Sequence, residues 1–132
     1  MVSEGSTHVS VVMPCYRGGP LLREAVASVI DQTFRGWELI VVSDGCEDDL
    51  SDLETIDPRV RVFRQRNRGV SIARNVGISH AQSELIALLD EDDLMMPERI
   101  AAQVAALRDE SFGLCYTQIR FIDGTGRPIG AG

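Results

Sequence analysis

The chain has 132 residues, of which 44% are hydrophobic, and a formal net charge of −7. That length fits one domain, and that apolar content is enough for a packed core. The acidic balance excludes a general nucleic-acid or anionic-membrane surface, but it leaves room for a phosphate ligand where a bound metal inverts the local sign.

Residues 1–7 read as a polar, flexible lead-in and residues 8–132 as the domain. Val9–Cys15 is nearly all apolar and β-branched, which predicts a strand covered on both faces. Gly18-Gly19-Pro20 then opens a helix, with Pro20 suited to the first turn. Leu21/Leu22, Ala25/Val26 and Val29/Ile30 recur at spacing four and predict one apolar stripe. A second strand is expected over Trp37–Val42, ending at Ser43-Asp44-Gly45. A short acidic helix follows within Glu47–Ile56, and a third strand, nearer an edge, at Val60–Phe63. Gly69–His80 reads as a helix with Ile72, Ala73 and Val76 inward, and Glu84–Leu89 as the fourth strand. Pro97–Arg108 reads as the last helix, with Ile100, Ala101, Val104 and Leu107 inward. Phe112–Ile122 is expected to form a further strand before the turn Asp123-Gly124-Thr125-Gly126.

This alternation implies right-handed βαβ units, hence a three-layer α/β/α fold on a mostly parallel, Rossmann-like sheet. Ligands of such sheets bind beyond the carboxyl ends of the strands. Cys15, Cys46 and Cys115 are widely spaced, form no CxxC pair, and read as reduced thiols of a cytoplasmic protein. No stretch is long and apolar enough to span a bilayer, and the N-terminus lacks a signal-peptide core.

The polar residues at the strand ends carry the chemistry. Asp90-Glu91-Asp92-Asp93 follows directly on the apolar run Leu85–Leu89. Two carboxylates ~5 Å apart repel by roughly 3 kcal/mol at an effective dielectric of ~20. A divalent cation relieves that repulsion, and hard oxygen ligands suit Mg2+, Mn2+ or Ca2+. The bland alternative is a solvated acidic loop before the helix at Pro97. Asp44 fits two roles, acceptor from a base N–H or ribose hydroxyl, or an ordinary Asp-Gly turn residue. Tyr16 either stacks on a nucleobase or packs in its loop. Arg74 sits beside Ala73 and Val76 on an inward-looking stretch, so its guanidinium needs a partner: a tetrad acid, or a ligand phosphate or base. Met95-Met96 reads as loop packing or as a sugar-pocket wall, and His8 and His80 as ordinary surface or element-end histidines. Glu47, Asp48, Asp49 and Asp52 read as a solvated acidic face.

Taken together, the chain resembles the N-terminal half of an inverting family-2 glycosyltransferase of the GT-A fold. The likeness rests on VSVVMPCYRG at 9–18, LIVVSDGCEDD at 39–49, NRGVSIARNVG at 67–77 and LLDEDDLMMPERI at 88–100, in that order. FIDGTGRPIG at 121–130 extends it. The resemblance implies transfer of a sugar from a nucleotide-diphosphate donor to a saccharide, lipid or protein acceptor. It places Pro14 and Tyr16 against the nucleobase, Asp44 at the base, and Arg74 near the base and phosphates. Asp92 is implied as a ligand of Mn2+ or Mg2+, Asp90 as a ribose or metal contact, and Asp93 as a sugar-contacting neighbour. Two features depart from the family pattern: Ser43 precedes Asp44 where a second acid is usual, and Cys46 replaces a small hydroxyl residue. The family's general base comes from a later segment, so the chain is expected to be a donor-binding half without its catalytic base. The competing expectation is a non-catalytic module of the same fold, used for binding or for self-association through the apolar surface that the absent half leaves. A nucleotidyltransferase or phosphatase would show a Gly-rich phosphate loop or a nucleophilic Asp where Pro14-Cys15-Tyr16 stands.

Overall fold

The computed structural model describes residues 8–130. Four strands, β1 (Val9–Cys15), β2 (Trp37–Asp44), β3 (Val60–Gln65) and β4 (Leu85–Leu88), form one sheet in the order β3-β2-β1-β4. All three pairings are parallel, with Val9 opposite both Trp37 and Leu85. Four helices, α1 (Gly19–Ile30), α2 (Ser51–Ile56), α3 (Val70–Ser79) and α4 (Arg99–Leu107), complete the domain.

The layering follows from the handedness of the crossovers. The chain steps β1 to β2 to β3 in one direction, then returns past β1 to reach β4. Right-handed connections therefore put α1 and α2 on one face and α3 on the other. Side-chain alternation along the strands agrees. Val11, Met13, Leu39 and Val41 join Leu22, Val26, Leu53 and Ile100 in one buried cluster. Ile40 and Val42 turn the opposite way, onto Ala73. The expected three-layer α/β/α arrangement is the one observed, and every residue of β1 and β2 is buried, as strands between two helical layers must be.

Four details differ from the sequence expectation. The apolar segment Phe112–Ile122 forms no strand; its one sheet-like contact is an antiparallel bridge between Ile122 and Pro128 around the Asp123 turn. A strand exists only through its partner, and β4 offers four residues as an outer edge. Tyr116 accordingly stays 88% exposed. The acidic helix starts at Ser51 rather than Glu47, because Asp48 turns back onto α1. On α3, Ile72 is 37% exposed, and the inward positions are Ala73 and Gly77. A Cβ on Gly77 would lie 2.4 Å from Val12 Cγ1, so the helix reaches the sheet only through small residues. Leu21 on α1 is likewise exposed, and α1 packs through Leu22, Ala25, Val26 and Val29. The expected lead-in, residues 1–7, lies outside the described residues. Among the described residues no helix is long and apolar enough to cross a membrane, and all three cysteines are free thiols.

Candidate functional site

The topology reverses at β1, whose neighbours β2 and β4 are reached by crossovers in opposite directions. The loops leaving such a point diverge and leave a crevice at the carboxyl edge of the sheet. A cleft of about 450 Å3 lies there. Pro14 and Tyr16 from β1, Asp44 from β2, Arg74 from α3, and Asp90 and Asp92 after β4 all line it. Six of the seven expected site residues thus share one cavity; Asp93 is not on its wall. Leu21 and Val70, left exposed by the core, supply apolar walls.

The four acids of the tetrad have four different surroundings. Asp90 Oδ1 receives Arg74 NH2 at 2.9 Å, so the partner of Arg74 is a tetrad acid. The Nε of Arg74 is buried and has no hydrogen-bond partner among the described residues. Glu91 accepts hydrogen bonds from three consecutive backbone amides, Tyr16 at 2.6 Å, Arg17 at 3.1 Å and Gly18 at 2.9 Å. Asp92 lines the cleft and makes no hydrogen bond through its carboxylate among the described residues. Burial first, and then the charges of Asp92 and Asp90, push the Asp93 carboxyl above its ordinary range, with Arg99 opposing.

Asp44 is 5% exposed and already well occupied. Its Oδ1 takes Gln65 Nε2 at 2.9 Å and the Arg68 amide at 2.7 Å, and its Oδ2 takes the Gly69 amide at 3.0 Å. Burial alone would raise this carboxyl; the donors from Arg68, Gln65 and Gly69 outweigh it and hold it below the usual carboxylate range. Asp44 therefore shapes the loop ahead of α3 as well as bordering the cleft. Burial, followed by the nearby Glu91 and Cys46, pushes the Cys15 thiol far up, so this cysteine behaves as an apolar core residue.

Four carboxylates line the cleft, but those of Asp44 and Glu91 are taken up by N–H donors, which leaves Asp90 and Asp92 as the candidate cation ligands; among the described residues no group of three His, Cys, Asp or Glu side chains converges. One or two carboxylates completed by substrate phosphates is the usual way Mg2+ is held, so the donor set fits a cation that arrives with its diphosphate.

Sequence reasoning missed the residues that hold this cleft in shape. Asp48 takes the Gly19 amide at 2.8 Å and pairs with Arg23, so the acidic face assigned to solvent is partly a clamp on α1. Ser28 on α1 and Gln32 just past its end bond the stretch Met95–Ile100, beyond the tetrad. Met95 is buried within that stretch and Met96 exposed, so the first is loop packing. The one available signal was Gly18-Gly19, a pair whose positive φ angles expose successive backbone amides to an acceptor.

Known proteins share both sequence and fold with this chain. The family model of Glycosyl transferase family 2 matches residues 10–131. An uncharacterized glycosyltransferase of Rickettsia felis is 36% identical over 126 residues, covering 93% of this chain and 21% of the relative. The UDP-Glc:alpha-D-GlcNAc-diphosphoundecaprenol beta-1,3-glucosyltransferase WfgD of Escherichia coli is 30% identical, over 87% of this chain and 47% of its own. The chain therefore spans between a fifth and a half of the length of these relatives. Among solved structures, Staphylococcus aureus TarS 1-349 in complex with UDP-GlcNAc superposes with a TM-score of 0.70 at 27% identity, over 79% of this chain and 32% of TarS. A mannosyltransferase of Pyrobaculum calidifontis, in complex with GDP-Man and Mn2+, shares the fold with a TM-score of 0.69 at 24% identity, over 80% of this chain and 34% of its own.

Proposed function

The chain belongs to Glycosyl transferase family 2, and from that premise we propose that its cleft binds a nucleotide-diphosphate sugar through a divalent cation, Mn2+ or Mg2+, for inverting transfer to an acceptor. The observation that carries this reading is the meeting of Tyr16, Asp44, Arg74, Asp90 and Asp92 on one cleft beyond the strand ends. Pro14 and Tyr16 face the base, and Asp44 lies beside it. Arg74, with its unpartnered Nε, attracts the phosphates. Asp92 is the metal ligand, Asp90 assists it or meets the ribose, and Asp93 lies toward the sugar. When bound, the cation supplies Lewis-acid neutralisation of the diphosphate leaving group.

The acceptor is a saccharide, lipid or protein, and no acid after α4 is assigned the role of the base that deprotonates it. Asp109 and Asp123, two of the acids after α4, are turn caps. Asp109 accepts from Ser111, and Asp123 from Thr125 and Arg127, and these bonds hold both carboxyls below the usual range. A lowered pKa opposes general-base duty near neutral pH. A cytoplasmic site and self-association through the exposed Phe112–Phe121 surface accompany this reading.

Titration calorimetry with UDP, GDP and dTDP, each with and without Mn2+, tests the proposal. The expected result is nucleotide binding that requires the metal and is lost in Asp92→Ala. Failure of all three nucleotides to bind at millimolar concentration, or equal binding without metal, overturns it.

A further inference from the structure

Glu91 stands between the two acids that face the cleft, yet it is not free to act with them. Its Oε2 receives the amides of Tyr16 at 2.6 Å and Arg17 at 3.3 Å; its Oε1 receives those of Arg17 at 3.1 Å and Gly18 at 2.9 Å. A carboxylate offers about four lone-pair positions, and these contacts fill them. No acceptor position remains for a cation. The three amides are successive and all point at one carboxylate, an arrangement that receives one anion as a backbone nest does, and Gly18 ends the run at a positive φ. Here the anion is a side chain from 73 to 75 residues further along the chain.

We propose that Glu91 is a positioning residue for the donor cleft: it latches the β1–α1 loop to the loop after β4 and so fixes Tyr16 relative to Asp90 and Asp92. The two loops both line the cleft and have no strand pairing at that level. Pairing of β1 with β4 ends at Val12 and Leu88, and one further backbone bond, Leu89 to Val12, closes the sheet edge. Beyond it the Glu91 carboxylate is the tie. Tyr16 is held through its own amide, so loss of the latch releases the residue whose ring borders the base side. Asp90 and Asp92 flank the latch in sequence and move with it. Glutamine in its place keeps the volume but removes the charge and turns an NH2 group toward N–H donors.

This inference rests on the donor-site reading, and the two are separable by experiment. The test compares the unaltered chain, Glu91→Gln and Glu91→Asp by UDP titration in the presence of Mn2+ and by backbone amide NMR. Glu91→Gln is expected to weaken UDP binding about tenfold or more. The amide signals of Tyr16, Arg17 and Gly18 are expected to move upfield while those of β1 to β3 hold their places. Glu91→Asp, which keeps the charge but reaches less far, is expected to recover part of both. Undiminished UDP affinity in Glu91→Gln, or unmoved signals at the three amides, overturns the latch. A wholesale change across the spectrum would assign Glu91 to general stability and equally overturn a positioning role. If the unaltered chain binds neither UDP, GDP nor dTDP, the donor-site reading has failed, and the three amide signals decide whether the latch exists.

Discussion

Replacing Gln32 by leucine removes an amide from the interior while nearly keeping its volume. Gln32 is 1% exposed, and its amide joins three backbone groups. Nε2 donates to Ser28 O at 3.2 Å and Met96 O at 2.7 Å, and Oε1 accepts from the Ile100 amide at 3.0 Å. The Ile100 amide is one of the orphan donors of the first turn of α4, so Gln32 caps that helix from the loop after α1. Each buried group stranded by the substitution costs about 1–3 kcal/mol. Ser28 O and Met96 O recover part of their bonding from water, which leaves an expected loss of about 3–4 kcal/mol. For a domain of this size that corresponds to a melting temperature lower by roughly 10–15 °C. Urea denaturation with a shared m-value measures it directly. Amide exchange at Ile100 should rise well above the change seen across β1 to β3, because α4 loses its cap before the sheet opens. The tetrad loop hangs from the same anchor, so Mn2+-dependent UDP binding should weaken even at temperatures where the variant is folded. A loss under about 1 kcal/mol, with Ile100 exchange unchanged, refutes the reasoning that the amide bonds hold this joint.

Glu38, at the far end of the sheet, separates stability from binding. Its buried carboxylate accepts from the Ser10 hydroxyl at 2.6 Å, the Gln82 amide at 2.7 Å and Arg61 NH2 at 2.5 Å. Burial pushes its pKa up, but the donors from Ser10, Gln82 and Arg61 prevail and lower it. Its stabilisation is therefore complete above the unfolded value, near ~4.3, and is lost as pH falls through the lower folded value. Glu38→Gln should cost about 2–4 kcal/mol at neutral pH and flatten the acid limb of the urea-midpoint profile, leaving nucleotide affinity intact. A variant that keeps the acid limb of the unaltered chain contradicts the assignment. Gly77→Ala sets a 2.4 Å clash against a stiff Val12 side chain, and overpacking of about 1–3 kcal/mol exceeds the helix-propensity gain of ~1 kcal/mol. Urea titration should show net destabilisation of α3 on the sheet; a neutral or stabilised variant would mean that α3 sits further out.

The strands and the cleft residues were legible because both are local signals. β1 and β2 declare themselves by unbroken apolar, β-branched runs, and the tetrad by its abrupt position after Leu89. The inward turn of Arg74 also predicted a charged partner, and Asp90 is that partner. Glu91, Asp48 and Gln32 were not legible as clamps. The bonds by which they clamp other elements span 25 to 75 residues, and nothing in a local window distinguishes a clamping carboxylate from a solvated one. The Phe112–Ile122 expectation failed for a related reason. Propensity and apolar content mark a segment that suits a sheet, but only an available edge makes it a strand. On α3 the stripe rule favoured the largest apolar residue, Ile72, while close approach to the sheet selected Ala73 and Gly77.

The division of labour within the tetrad also changes its electrostatics. Four adjacent acids suggest a dense negative site, yet two of the charges are already met by the protein. Arg74 pairs with Asp90, and three amides surround Glu91. What remains without a hydrogen-bonding partner falls on Asp92 and Asp93, and burial first, then the charges of Asp92 and Asp90, raise the Asp93 carboxyl. A loop in that state is short of about one divalent cation, not two, and offers it Asp92 with at most one oxygen of Asp90. On the donor-site reading, so sparse a ligand set would bind metal weakly alone and would depend on phosphate oxygens to complete the shell. Metal and nucleotide should therefore bind with positive coupling, each raising the affinity of the other by the same factor. Mn2+ titrated alone should bind far more weakly than Mn2+ titrated with UDP present, and equal affinities would show that the acids form a closed metal site independent of any diphosphate.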